Sequence, residues 1–168
     1  MKKRNKDKDV TGFTAGNFDL IHYGYVLTFE EAKRHCDKFI VFLHQDPSIT
    51  RYSKYKPVIP LYERYKILMA IQYVDEVYFY QSEEDLYNLI KFFNPDIRIL
   101  GEDYIGKSFT GDDLPITTYY TTRSHQRSTT MVKNRITAMT LAQNPELLHK
   151  INFEEVKKGI FTSFERPD

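Results

Sequence analysis

The first candidate site lies in residues 15–25, which read AGNFDLIHYGY. Gly16 permits a tight turn and close approach of the backbone, and Gly24 opens the following predicted helix without a side chain in the way. A helix N-terminus presents N–H groups and a partial positive charge, which suits phosphate. His22 stands just before that helix and can donate a hydrogen bond to a phosphoryl oxygen. By spacing alone, a histidine beside a turn has a structural role more often than a functional one.

A second group of candidates consists of cations. Arg51, Lys54 and Lys56 lie in a polar segment that is interrupted by prolines, and Arg64 follows on the next predicted helix. Cations that follow the end of a strand can gather around a polyphosphate. A charge run of this kind is also typical of a solvated loop.

A third candidate is the segment 123–130, RSHQRSTT. Ser128 is a good N-cap for the apolar helix that follows. The residue three positions later is Met131, so no capping box is completed and the first-turn N–H groups can bind an anion. Arg123 and Arg127 add full charges nearby. The alternative is a plain capped helix.

The fourth candidate is the segment 101–107, GEDYIGK. Its carboxylates, Glu102 and Asp103, could hold hydroxyl groups of an acceptor or a magnesium ion. Ordinary turn formation explains glycine and aspartate at these positions equally well.

The elements that must position these residues alternate along the chain. Strands are predicted at 10–16, 38–44, 75–81, 96–101 and 115–121, and helices at 23–36, 60–72, 83–93 and 128–137, with a loop at 45–59. The unbroken apolar run FIVFL inside 38–44 is typical of a parallel strand covered on both faces. Alternation of strands and helices predicts an α/β fold. We expect a doubly wound, Rossmann-like parallel sheet of about five strands, with helices on both faces.

In such sheets, ligands bind at the carboxyl ends of the strands. The candidates that follow Gly16, His44, Gly101 and Thr121 should therefore share one crevice. We expect one nucleotide-binding domain over residues 10–137. A basic tail (1–9) precedes it, and a helical extension (138–168) with a weak helical pattern at 145–158 follows it.

The composition restricts the class of protein. A formal net charge of +1 over 168 residues lacks the basic footprint of a protein whose main partner is duplex nucleic acid. Cys36 is the only cysteine, so no disulfide forms within the chain, which fits a reducing compartment. Neither a signal peptide nor a run long enough to cross a bilayer is visible. We expect a cytoplasmic protein without a membrane or nucleic-acid partner.

Taken together, the motifs resemble those of the cytidylyltransferases, within the wider HxGH nucleotidyltransferase superfamily. Residues 16–25 resemble the GTFDLxHxGH motif, and residues 56–64 resemble the K-P-V…E-R loop and helix. Residues 72–77, 101–107 and 123–130 are similar to RYVDEV, GDDWEGK and RTEGISTT. The match runs in order from about residue 10 to 137, and its pattern is most similar to the glycerol-3-phosphate cytidylyltransferases.

The resemblance implies a reaction and a set of roles. A phosphate oxygen of a small phosphorylated alcohol would attack the α-phosphorus of CTP, pyrophosphate would leave, and magnesium would bridge triphosphate oxygens without direct protein ligands. The implied catalytic residues are His22, Tyr25, Lys56 and Arg123. The implied nucleotide contacts are Gly16, Asn17, Phe18, His22, Gly24, Lys54, Arg123, Ser128, Thr129 and Thr130. The implied acceptor side comprises Asp19, Arg64, Asp75, Glu102 and Asp103, and the family suggests a homodimer.

Two departures from the family pattern leave alternatives open. Tyr25 stands where the family has the second histidine of HxGH, and Gln72 stands where it has the arginine of RYVDEV. Losing a donor to the reacting phosphate typically costs about 10²–10³ in rate, unless the Tyr25 hydroxyl takes over as donor. The alternatives are adenylyl transfer on the same fold and a nucleotide-binding protein with weak or no catalysis.

Overall fold

Five parallel strands form one sheet in the computed structural model, which describes residues 9–51, 54–122 and 128–149. The strands are β1 (Thr11–Gly16), β2 (Lys38–His44), β3 (Glu76–Tyr80), β4 (Ile97–Gly101) and β5 (Thr117–Thr121). Their order is β3-β2-β1-β4-β5, and every neighbouring pair is parallel. The connection reverses direction across the sheet at β1, which makes the crevice between β1 and β4 the topological switch point. The predicted fold class is thus confirmed.

The helices are α1 (Tyr23–Lys33), α2 (Pro47–Thr50), α3 (Leu61–Met69), α4 (Glu83–Phe93) and α5 (Thr129–Gln143), with 3₁₀ turns at Glu102–Tyr104 and Pro145–His149. The predicted loop 45–59 contains the short α2, because Pro47 suits a first helical position and Asp46 caps the Ser48 N–H. Helix α5 runs past the predicted end at residue 137, since no glycine or proline interrupts the chain before Pro145. Residues 1–8 of the predicted tail (1–9) and the residues beyond 149 lie outside the described residues.

Strand β2 shows how the core is divided between the two faces of the sheet. Phe39, Val41 and Leu43 belong to one buried cluster, which α1 and α3 cover with Phe29 and Leu68. The intervening Ile40 and Phe42 belong to the opposite cluster, which α4 covers. Side chains alternate between faces along a strand, so an unbroken apolar run is needed when helices cover both faces. This explains why the sequence FIVFL carries no polar position.

Helix α4 begins at the edge of the sheet where ligands are expected. Ser82 and Asp85 form a reciprocal capping box at its start, so its first turn follows β3 directly. Glu83 and Leu86 are thereby held beside the ends of β2 and β3. Within residues 9–51, 54–122 and 128–149, no helix combines the length and the hydrophobicity required to cross a bilayer.

Candidate active site

A cleft of about 930 Å³ opens at the carboxyl edge of the sheet. Its walls come from the ends of β1, β2 and β3, from the loop after β4, and from the first turns of α4 and α5. This volume lies within the roughly 300–1,000 Å³ usual for small-molecule sites. Loops from separate strands therefore converge on one space.

The turn after β1 forms the floor of the cleft. Gly16 and Asn17 line it, whereas Phe18 has a positive φ of 44° and is only 5% exposed. The Phe18 ring packs under Gly16, where an added Cβ would lie 3.2 Å from two ring carbons. Strained backbone of this kind is often found at functional sites. Phe18 thus shapes the floor through its backbone, and its ring belongs to the core.

His22 caps α1. Its Nδ1 accepts a hydrogen bond from the Gly24 N–H at 3.1 Å, and its ring stacks on Tyr25 with centroids 4.6 Å apart. A neutral imidazole that accepts at Nδ1 carries its proton on Nε2. The cap therefore selects the tautomer that can donate from Nε2. Gly24 is buried in the first turn of α1, and because it has no side chain it can contact a ligand only through its backbone.

The starts of α1 and α5 meet across the cleft. The hydroxyl of Tyr25 lies 3.2 Å from Oγ1 of Thr129. Ser128 caps α5 by accepting from the Met131 N–H at 3.2 Å, and Thr129 and Thr130 line the cleft. Two helix N-termini close together produce a local excess of N–H donors and positive potential. This region can bind a polyanion.

Asp19 links three segments beneath the cleft. It is 3% exposed, accepts from the Ile59 N–H at 2.9 Å and pairs with Nζ of Lys133 at 2.8 Å. Lys133 lies one turn into α5 and lines the cleft. The ion pair therefore fixes the distance of α5 from the turn after β1. The ammonium group of Lys133 is thereby held at the cleft wall.

Arg64 supports the site from inside. It is 1% exposed, and its guanidinium donates to the carbonyls of Ile59, Asn17, His44 and Gln45 and to the side chain of Asn17. It therefore ties the ends of β1 and β2 to the start of α3. Burial lowers the pKa of the Arg64 guanidinium, with Asp19 and Asp46 opposing that effect. Any influence of Arg64 on an acceptor passes through Asn17 and the loops that it holds.

The predicted cations of the loop after β2 divide between cleft and surface. Lys54 and Arg51 line the cleft, and Arg51 forms an ion pair with Glu83 at the start of α4. Lys56 is exposed and is not part of the cleft wall. The predicted charges of Arg123 and Arg127 lie outside the described residues.

The structure corrects one of the predicted acceptor-side carboxylates, Asp75. Asp75 accepts from the Phe39 N–H at 2.6 Å and pairs with Lys33, immediately before β3. It therefore lies at the amino edge of the parallel sheet, roughly 17 Å from the carboxyl edge at about 3.3 Å per residue. Glu102 and Asp103 lie on the exposed 3₁₀ turn after β4, at the carboxyl edge and next to Tyr104, which lines the cleft; their acceptor role stays a prediction.

The cleft also contains cations and an imidazole that the sequence interpretation did not select. These are Lys133, His44 and Arg98. Lys133 follows Thr130 by three residues and Thr129 by four, so it lies on the same face of the helix. This spacing could have revealed it. An arginine within the apolar strand β4 was a comparable signal, because a buried charge requires a reason.

Metal-ligand clusters are not a feature of the part of the chain that the structure describes. No group of three or more histidine, cysteine, aspartate or glutamate side chains there could hold a metal ion.

Comparison with known proteins agrees with this geometry. The sequence profile of the cytidylyltransferase-like family matches residues 13–135. The bifunctional protein HldE of Gluconacetobacter diazotrophicus is 38% identical over 104 residues, covering 61% of this chain and 21% of that protein. HldE of Campylobacter jejuni serotype O:6 is 38% identical over 115 residues, covering 68% and 24%. The chain thus spans about a quarter or less of the length of these curated relatives.

Solved structures share the fold. The lipopolysaccharide core biosynthesis protein from Thermoplasma volcanium has a TM-score of 0.55 at 22% identity, covering 68% of this chain and 96% of that chain. Pantoate-β-alanine ligase from Francisella tularensis, in complex with β,γ-ATP and β-alanine, has a TM-score of 0.50 at 20% identity, covering 72% and 61%.

Proposed function

The chain belongs to the cytidylyltransferase-like family of nucleotidyltransferases, and on this premise we propose that it transfers CMP from CTP to a phosphorylated small alcohol, with release of pyrophosphate. Glycerol 3-phosphate is the prototype of such an acceptor. The observation that carries the proposal is the meeting of two helix starts in one cleft, with Tyr25 and Thr129 in contact.

The proposed reaction needs positioning and charge stabilisation, with no covalent enzyme intermediate. A phosphate oxygen of the acceptor attacks the α-phosphorus of the nucleotide. The bond between that phosphorus and the oxygen bridging to the β-phosphate breaks, and pyrophosphate leaves. Holding the two reactants in line, and placing donors where negative charge develops, are the main catalytic contributions available to the protein.

Two features of the cleft, and a histidine that packs on the cleft residue Tyr25, supply these contributions. The Nε2–H of His22 donates to an oxygen of the α-phosphate, because Nδ1 is engaged by Gly24. The N-terminus of α5 holds the triphosphate with its first-turn N–H groups. Lys54 and Lys133, which both line the cleft, compensate the charge of the leaving pyrophosphate. Arg123, outside the described residues, retains its proposed contact with the triphosphate.

Magnesium fits this site as a companion of the nucleotide. The cleft offers cations and N–H groups, and the carboxylate of Glu83, which lines it, is already bound by Arg51 and Thr110. The buried carboxylate of Asp19 is bound by Lys133 and by the Ile59 N–H. A metal would therefore be held by phosphate oxygens, with no direct protein ligand among the described residues. When bound, it would neutralise charge on the triphosphate.

Adenylyl transfer is the second candidate. Pantoate-β-alanine ligase, which shares this fold, was solved with β,γ-ATP, so ATP belongs in any test of the donor. The third alternative is a nucleotide-binding protein without catalysis, since Tyr25 replaces a family histidine. A homodimer is proposed from the resemblance alone, and light scattering coupled to size exclusion tests it.

A pyrophosphate-release screen tests the proposed function. Each of the four nucleoside triphosphates is combined with a panel of polyol, sugar and amino-acid phosphates in the presence of magnesium. Pyrophosphate formed with CTP alone supports cytidylyl transfer. Pyrophosphate formed with ATP alone supports adenylyl transfer instead. Calorimetric binding of CTP without turnover on any acceptor favours the non-catalytic alternative.

A further inference from the structure

The cleft has a second compartment, on the α4 side of the sheet. Side chains alternate along strands, and Ile99 faces the α1 side, so Arg98 faces the α4 side. By the same alternation, His44 and Tyr80 face that side at the ends of β2 and β3. All three side chains line the cleft. This compartment lies apart from the helix starts that hold the polyphosphate in the proposed function.

Arg98 is a buried cation without a carboxylate partner among the described residues. It is 5% exposed, and its guanidinium lies 5.3 Å from the Phe13 ring centroid and 4.6 Å from that of Phe109. One terminal nitrogen donates to the Thr110 carbonyl, whereas the buried Nε has no partner in the described part of the chain. A buried charge is normally paired, because the loss of its hydration is costly.

His44 has the same deficiency. It is 3% exposed, and neither ring nitrogen has a partner among the described residues. Its ring packs edge-on against Tyr80 with centroids 4.6 Å apart. Burial, together with the nearby Arg51 and Arg64, lowers the pKa of His44, while Asp46 opposes this. The imidazole is therefore neutral at neutral pH and offers one donor and one acceptor.

The charged groups around this compartment are already engaged with one another. Glu83 binds both Arg51 and Thr110, which links the loop after β2 to the loop after β4. Asp112 is held by the Ser108 hydroxyl and the Phe109 N–H. Asp112 is near enough for its charge to act on Arg98, but it forms no ion pair with Arg98, and neither does any other residue of the described ranges.

We propose that Arg98 and His44 form the part of the acceptor site that selects a substrate with a second oxyanion, remote from its reacting phosphate. This inference rests on the proposed nucleotidyl transfer and specifies its acceptor class. A guanidinium packed near two rings presents a planar fork of N–H groups, which matches a carboxylate or a phosphate. The neutral His44 pairs with a hydroxyl on the same ligand. Glycerol 3-phosphate, with a single anionic group, leaves Arg98 unsatisfied.

Calorimetry with matched pairs of acceptors tests the inference without requiring turnover. Glucose 1-phosphate is compared with glucose 1,6-bisphosphate and with glucuronic acid 1-phosphate, and glycerol 3-phosphate with 3-phosphoglycerate. We expect the compound with the second anion to bind roughly 10- to 100-fold more tightly in at least one pair. The bisphosphate and the carboxylates show which oxyanion is preferred. Equal affinities within every pair would overturn the inference.

Variants then assign the preference to residues. Arg98→Met keeps an apolar stem beside the rings. It should lower the affinity for the preferred compound to that for the other compound of the pair. Arg98→Lys keeps the charge without the fork and should lose most of the preference, so it also serves if the methionine variant does not fold. His44→Asn should weaken both members of each pair by about threefold to tenfold. Arg34→Met, which removes an exposed guanidinium paired with Glu30 on α1, is the matched control and should change nothing.

The outcomes separate this inference from the proposed function. If the wild-type protein prefers the second anion and Arg98→Met abolishes that preference, the inference holds even when no triphosphate yields pyrophosphate, in which case the proposed function fails. If Arg98→Met weakens both members of each pair equally, Arg98 is a packing residue and the inference fails, whatever the turnover.

Discussion

Replacing Tyr25 with phenylalanine tests whether its hydroxyl has taken over from the missing family histidine. The substitution removes one oxygen and leaves the ring, which packs on His22 at 4.6 Å and on Phe18 at 5.4 Å. The only hydrogen bond of that hydroxyl among the described residues is its 3.2 Å contact with Thr129. The structural cost and the catalytic cost of the change can therefore be measured separately.

The structural cost is small. Loss of one half-buried hydrogen bond lowers the free energy of unfolding by about 0.5–1.5 kcal/mol. For a chain of this size, each 1 kcal/mol shifts Tm by about 2–4 °C. A catalytic donor has a larger effect, because removing one group that stabilises charge on the reacting phosphate costs about 10²–10³ in kcat. We therefore expect a modest shift in Tm and a large fall in kcat, with little change in the Kd for CTP.

The assay combines pyrophosphate release with calorimetric CTP binding and thermal unfolding. Tyr119→Phe is the matched control, because its hydroxyl donates to Glu31 at 2.8 Å away from the cleft, and it should shift Tm without affecting turnover. Tyr25→His restores the family residue and should keep turnover at or above the wild-type level. A Tyr25→Phe enzyme with unchanged kcat would refute the donor role.

Four further predictions follow from the described contacts. Lys54→Ala should weaken CTP binding more than CMP binding, whereas Lys56→Ala, outside the cleft wall, should change neither; calorimetry that ranks them in the opposite order would contradict the placement. Arg64→Met should lower the unfolding free energy by at least about 3 kcal/mol in denaturant titrations, because it leaves several buried carbonyl groups without a donor. Asp75→Asn should lower the unfolding free energy by about 1 kcal/mol and leave kcat and KM unchanged, since it lies at the amino edge of the sheet; altered kinetics would restore it to the site. The pKa of His44 is lowered below its ordinary value of 6.5 by burial, so the unfolded state binds the proton more readily; unfolding free energy should fall as pH drops below about 6.5, and His44→Asn should reduce that slope.

The sequence was most informative where local chemistry and periodicity agree. The run FIVFL predicts a strand buried on both faces, and β2 is Lys38–His44 as predicted. Glu83–Phe93 was equally well defined by its acidic first turn and by the break at Asn94-Pro95. The ordered motifs then indicated the family. Short-range preferences and ordered motifs are properties of the chain itself, so they can be recognised before any tertiary contact is known.

The individual roles of charged side chains were less predictable. Arg64 and Lys56 belong to the same predicted motif, yet one is buried against main-chain carbonyls and the other is exposed. Asp75 lies within the motif at 72–77 that resembles the family, but it precedes β3 and therefore lies at the amino edge of the sheet, away from the cleft. The destination of a long side chain depends on which loops pack against it. Sequence spacing does not encode that arrangement.

The sequence by itself determined the order of strands and helices, the glycine turn after β1, the helix start at Ser128 and the membership in a nucleotidyltransferase family. Only the tertiary structure decided that Tyr25 meets Thr129, that Lys133 reaches Asp19, and that Arg98 and His44 line one cleft, where Nε of Arg98 and both ring nitrogens of His44 are buried without a partner among the described residues. The physical reason is that these contacts join residues distant along the chain. Their geometry is fixed by the packing of helices on the sheet, which no local pattern specifies.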